Sequence, residues 1–98
     1  MVREMRIYTQ AMEFEWDEDK RLSNIEKHGF DFRDVEVLFD GRPLYTRDSP
    51  RGDENRHMTT AEFAGRLMTV IWTERGEKIR IISVRRARDA EERNYRQL

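Results

Sequence analysis

Glu13-Phe14-Glu15-Trp16-Asp17 alternates polar and apolar side chains, the period of a short half-buried strand. Asp17 is placed to cap a following helix, and Glu18 and Asp19 put negative charge on the positive end of its dipole. That helix is expected to run to about His28, where Gly29 supplies a left-handed closing residue. Leu22 and Ile25 are its only expected apolar contacts, so it reads as short and mostly exposed. Asp31 and Asp34 open a second helix whose Phe32, Val35, Leu38 and Phe39 share one stripe, suited to covering a sheet. Residues 40–55 contain Gly41, Pro43, Pro50 and Gly52 and read as a loop with an edge strand around Leu44 to Thr46.

From Arg56 the period becomes strand-like. Runs at Arg56 to Phe63, Leu67 to Glu74 and Lys78 to Val84 are separated by turns at Ala64-Gly65-Arg66 and Arg75-Gly76-Glu77, an antiparallel meander. Alternation puts Met68, Val70 and Trp72 on one face, and in the next run Ile79, Ile81 and Ser83 on one face. Residues 88–97 read as a closing helix with Asp89 as cap and Glu92 three residues later. The predicted fold is α+β: a small antiparallel sheet of about four strands, two N-terminal helices and one C-terminal helix. It forms a single domain over residues 1–98, in which 1–12 is an N-terminal extension and Met12 an alternative translation start.

Composition narrows the chemistry. With 98 residues, 37% hydrophobic and 40% charged, the chain builds one thin core and is suited to leaning on a partner. The absence of cysteine removes disulfides, thiolate nucleophiles and cysteine-ligated zinc. No apolar run is long enough to span a bilayer, and the expectation is a cytoplasmic protein with no membrane contact. The net charge of −1 hides an asymmetry: residues 1–40 carry 6 basic and 11 acidic side chains, residues 41–98 carry 13 and 9. The densest basic stretch, with Arg75, Lys78, Arg80, Arg85, Arg86 and Arg88, is either a polyanion site or a solvated face that complements the acidic helices.

Four segments together resemble the BrnT family, within the wider RelE-like group of messenger-RNA interferases. They are Trp16-Asp17-Glu18-Asp19-Lys20-Arg21 with Asn24, Lys27-His28-Gly29-Phe30-Asp31-Phe32, Glu54-Asn55-Arg56, and Ile81-Ile82-Ser83-Val84-Arg85-Arg86-Ala87 followed by an acidic-basic helix. The resemblance implies a ribonuclease toxin that cleaves RNA and inhibits translation. It also implies neutralisation by a co-encoded, BrnA-like antitoxin through which alone the toxin would meet DNA. No cofactor is expected. The competing readings are a non-catalytic RNA- or protein-binding module of the same fold and, with no helix-turn-helix pattern to support it, a DNA-binding regulator.

Metal-free RNA cleavage needs a base for the 2′-hydroxyl, cations for the phosphorane and an acid for the leaving oxygen. Arg56, Arg85 and Arg86 are candidates for the phosphate clamp, or are surface arginines paired with carboxylates. Ser83, two residues before Arg85, is either a phosphate donor or satisfied by backbone. His28 is the natural acid or base, or with Lys27 a cation at a helix C-terminus. Glu92 and Tyr95 offer a carboxylate base and a stacking or acidic phenol, or are a surface carboxylate and a packing aromatic. Lys27, Arg86, Arg88 and Tyr95 are the expected RNA-binding residues. His57 points away from Arg56 along its strand and is set aside, as is metal catalysis, for which no ligand spacing stands out.

Overall fold

The computed structural model describes residues 13–98, so the expectations about 1–12 and Met12 lie outside the described residues. Among the described residues, five strands form one sheet in the order β1-β5-β4-β3-β2, with β1 Glu13–Trp16, β2 Tyr45–Asp48, β3 Arg56–Phe63, β4 Arg66–Arg75 and β5 Lys78–Arg86. The expected antiparallel sheet of about four strands is therefore a mixed sheet of five. β2 to β5 are the antiparallel meander, and β1 lies parallel to β5, pairing Glu13 with Lys78 through Trp16 with Ile81. Alternation had marked β1 as a strand, but a period of two carries no information about strand direction.

One face of the sheet is closed by the predicted apolar stripe. Phe32, Val35, Leu38 and Phe39 are all buried against Val70, Trp72, Ile79, Ile81 and Val84. The stripe rides on less helix than its spacing suggested: a 3-10 turn, Phe32–Asp34, runs into a single α-turn, α2, Val35–Leu38. Asp31 starts it by accepting the Arg33 N–H at 2.9 Å. Edge-on aromatic contacts knit the layer, Phe39 to Trp72 at 6.3 Å and Phe30 to Phe63 at 4.9 Å between ring centres.

α1, Glu18–His28, is capped as expected by the Asp17 carboxylate and closed by Gly29 at φ 70°. Its packing differs from the sequence reading. Leu22 and Ile25 are 52% and 37% exposed, and the one buried side chain is Asn24. The Asn24 carboxamide donates to the Phe30 carbonyl at 2.9 Å and accepts the Val84 N–H at 3.1 Å, tying α1 to β5 beyond the point where β1 ends. The helix is held by a polar staple in place of an apolar stripe.

Two further corrections follow from local backbone. Trp72 pairs with Ile81 and Ile71 with Ser83, so Ile82 is an extra residue, a bulge that shifts the alternation. Val84, in place of the expected Ser83, joins Ile79 and Ile81 in the core. The closing helix α3 is Asp89–Arg96 with Arg88 as N-cap, and Glu91 in place of Glu92 bonds back to the Arg88 N–H at 2.8 Å. Between β3 and β4, Ala64 and Gly65 both have positive φ, 52° and 79°, the signature of a two-residue type I′ turn.

Candidate active site

Paired residues on neighbouring strands share a sheet face, so the register lays out the face opposite the aromatic core as rows. One row is Tyr45, Thr60, Thr69 and Arg85; the next is Arg47, Met58, Ile71 and Ser83; a third holds Arg56, Thr73 and Arg80. Three sequence candidates, Arg56, Ser83 and Arg85, thus lie on one face. They do not form one clamp: Arg56 pairs with Thr73 and Arg85 with Thr69, four positions apart on β4, about 13 Å at the rise of a strand.

α3 lies on this face over the first row. Arg85 is expected as an exposed phosphate clamp, but its side chain is 14% exposed and engages the Glu91 side chain, 5% exposed, through both Nη atoms at 2.8 and 2.9 Å. Glu91 also accepts from Thr69 Oγ1 at 3.0 Å, and Thr69 is bonded to Thr60 at 2.9 Å. Burial alone pushes the Glu91 carboxyl up; hydrogen bonds from Arg85, the Arg88 N–H and Thr69, with the Arg85 charge, outweigh it and hold the group at about 2. A buried ion pair of this kind is structural first, because losing either member strands the other charge.

Beside α3 the sheet end forms a cleft of about 260 Å³ lined by Glu62, Gly65, Arg66, Leu67, Arg86, Glu92, Tyr95 and Arg96. Three sequence candidates, Arg86, Glu92 and Tyr95, meet here. Arg96 approaches Glu92 at 3.5 Å, and neither Arg66 nor Arg86 pairs with a carboxylate among the described residues. Arg66 and Arg96 were missed by sequence reasoning, although Arg66 directly follows the Gly65 turn that delivers it to the α3 end. Two unengaged guanidiniums, a carboxylate and a phenol on one concave patch can clamp a phosphodiester and exchange protons with it.

The other candidates lie elsewhere. Lys27 and His28 are exposed at the end of α1, where cations suit the helix dipole. The Ser83 hydroxyl donates to Asn24 Oδ1 at 3.4 Å. Arg88 is exposed at the N-cap of α3. Arg56 pairs with Glu54 and lines a larger cleft, about 770 Å³, at the opposite end of the sheet. His57, set aside because it points away from Arg56, lines the same cleft, which opens at the strand end and so admits both faces. Its ring lies 4.4 Å from Trp72, with Nδ1 2.8 Å from Asp48 and Nε2 3.5 Å from Glu74. Asp48, Asp53, Glu54 and Glu74 outnumber Arg56 and Arg75 there, an unfavourable balance for a polyanion.

Among the described residues no His, Asp and Glu side chains are gathered as a metal-binding set, and no helix is long and apolar enough to cross a membrane. Fold and site together define a small α+β protein with a guanidinium-lined cleft at one end of its sheet. The family model of BrnT, the ribonuclease toxin of type II toxin–antitoxin systems, matches residues 16–91, and the chain belongs to this family. A comparison with curated proteins gave no match. The matched span ends at Glu91, so Glu92, Tyr95 and Arg96 lie just outside it.

Proposed function

We propose that this chain is an endoribonuclease toxin that cleaves RNA without metal in the cleft between β4, β5 and α3. The observation that carries the reading is the convergence of Arg66 and Arg86, neither paired with a carboxylate among the described residues, with Glu92 and Tyr95. In this reading the two guanidiniums hold the scissile phosphate and stabilise the charge of the phosphorane. Glu92 takes the proton of the 2′-hydroxyl, whose oxygen attacks phosphorus; the 5′-oxygen leaves with a proton from Tyr95. The products are a 2′,3′-cyclic phosphate and a 5′-hydroxyl. The RNA strand continues along the open rows of the sheet past Ser83 toward Arg56, while Lys27, His28 and Arg88 lie at the margin.

Cleavage of messenger RNA inhibits translation, and a co-encoded antitoxin neutralises the enzyme by covering this cationic cleft. An acidic segment that orders on binding fits the charge and the thin core. The test is incubation of purified protein with RNA, with and without EDTA, followed by analysis of the ends. Cleavage that survives EDTA and leaves cyclic phosphate is expected, as is growth arrest on expression alone with relief by the neighbouring gene. Strict dependence on added Mg²⁺, or RNA binding with no cleavage, would overturn the reading.

A further inference from the structure

α3 has eight residues, too few to be stable as an isolated helix. Its one buried side chain is a carboxylate, Glu91, so no apolar stripe fixes how the helix is turned or where along the sheet it stands. That setting is fixed by four hydrogen bonds to the Glu91 carboxylate. Two come from Arg85 on β5, one from Thr69 on β4 and one from the Arg88 N–H at the start of α3 itself. Thr69 is tied in turn to Thr60, which roots the network in β3. The donors approach from both neighbouring strands and from the helix, and together they admit one orientation of the carboxylate. Glu92 and Tyr95 follow Glu91 by one and four positions, so their placement in the cleft that they line with Arg66 and Arg86 at the sheet end depends on that orientation. A slip of one residue would turn α3 by about 100° and carry Glu92 out of the cleft.

We infer that Glu91 is a positioning residue for RNA cleavage: it sets α3 on the sheet so that Glu92 and Tyr95 complete the arginine cleft. The inference rests on the reading of that cleft as the place of cleavage. A Glu91→Gln side chain keeps the shape but offers one acceptor oxygen where two receive the four donors, and its amide faces a guanidinium. The aromatic core lies on the other face of the sheet, so Glu91→Gln is expected to fold with reduced stability while α3 loses its setting.

The experiment is a double-mutant cycle in the full chain. Single-turnover cleavage of a defined single-stranded RNA is measured for wild type, Glu91→Gln, Tyr95→Ala, Glu92→Gln and the Glu91→Gln/Tyr95→Ala double variant. The temperature is one at which circular dichroism shows every variant fully folded. Misplacement of the helix predicts a rate lower by roughly 10²-fold for Glu91→Gln. Adding Tyr95→Ala to it then costs less than about twofold more, because coupled groups are not additive. Wild-type cleavage by folded Glu91→Gln, or losses that simply multiply, would overturn the inference while leaving the cleft reading intact. Unchanged cleavage by both Tyr95→Ala and Glu92→Gln would remove the cleft reading and the inference with it. If Glu91→Gln does not fold, Arg85→Lys carries the same cycle, since an ammonium cannot reproduce the bidentate contact; coupling to Tyr95 is again expected, and independence overturns the inference.

Discussion

Asn24 Oδ1 accepts the Val84 N–H at 3.1 Å, on the edge of β5 beyond its last pair with β1, Trp16 with Ile81. One side chain thus closes an open strand edge and, through the Phe30 carbonyl, fixes the turn that leads into the aromatic stripe. Asn24→Ala leaves a buried N–H and a buried carbonyl without partners and is expected to cost about 1 to 3 kcal/mol in urea unfolding. Leu22→Ala on the same helix, at an exposed position, should stay within about 0.5 kcal/mol of wild type. Equal losses for the two would show that the staple contributes nothing beyond helix packing.

Acid should unfold the protein through two carboxylates. Glu91 lies at about 2 against an ordinary 4.5. Asp31 is held at about 2 from 3.8, chiefly by the Arg33 side chain and against its own burial, with the Arg33 N–H and Arg21 adding to the shift. Both are depressed on folding, so their contribution is complete above the unfolded value and is lost as pH falls through the folded one. Stability followed by denaturant titration is expected to be level above pH 5 and to fall between about 4.5 and 2. In Glu91→Gln the fall should be shallower; an unchanged profile would contradict the Glu91 assignment.

Arg66 and Arg86 should behave as a phosphate clamp. Each alanine variant is expected to lower the cleavage rate by about 10²-fold, as loss of one donor to a developing oxyanion does. Because both side chains lie outside the core, thermal unfolding should barely move. Each substitution should also flatten the dependence of RNA affinity on salt by roughly 0.7 in logarithmic slope, one phosphate contact's worth for a single strand. A full slope with reduced cleavage would place the arginine away from the phosphate.

Ala64 holds φ 52° in the β3–β4 turn, a conformation in which its Cβ crowds the backbone. Glycine removes that clash and loses more freedom on folding, so the two effects partly cancel. Ala64→Gly is expected to stabilise the protein by about 0.5 kcal/mol in chemical denaturation. Destabilisation would mean that the Ala64 methyl packs usefully in the turn.

Strong periodic signals were the ones the sequence made legible. The run from Arg56 to Phe63 is β3 residue for residue. Asp17, Gly29 and the Phe32-Val35-Leu38-Phe39 stripe all act as their chemistry and spacing indicated. What was not legible depends on pairing across the chain. The parallel β1 and the burial of Asn24 rest on partners about 60 or more residues away, and the Ile82 bulge on the register between β4 and β5, none of which a local period reports. The site divides in the same way. Arg86, Glu92 and Tyr95 were reachable from the basic stretch and the helix that follows it. The burial of Arg85 was not legible because a strand arginine next to a short helix reads alike whether it faces solvent or a buried Glu91. Arg66 joins the cleft only because a type I′ turn folds the chain back.

The parallel alignment of β1 with β5 also governs the order of assembly. β2 to β5 meet across short turns and can zip from neighbour to neighbour, whereas Glu13 meets Lys78 only after the intervening chain has been threaded into place. On this topology the meander is expected to form first and β1 to dock late, bringing Phe14 against Phe39 and Trp16 against Phe32. Until that last strand arrives, one edge of β5 stands open, and a partner that offered a strand there would compete with the chain's own beginning for the same hydrogen bonds.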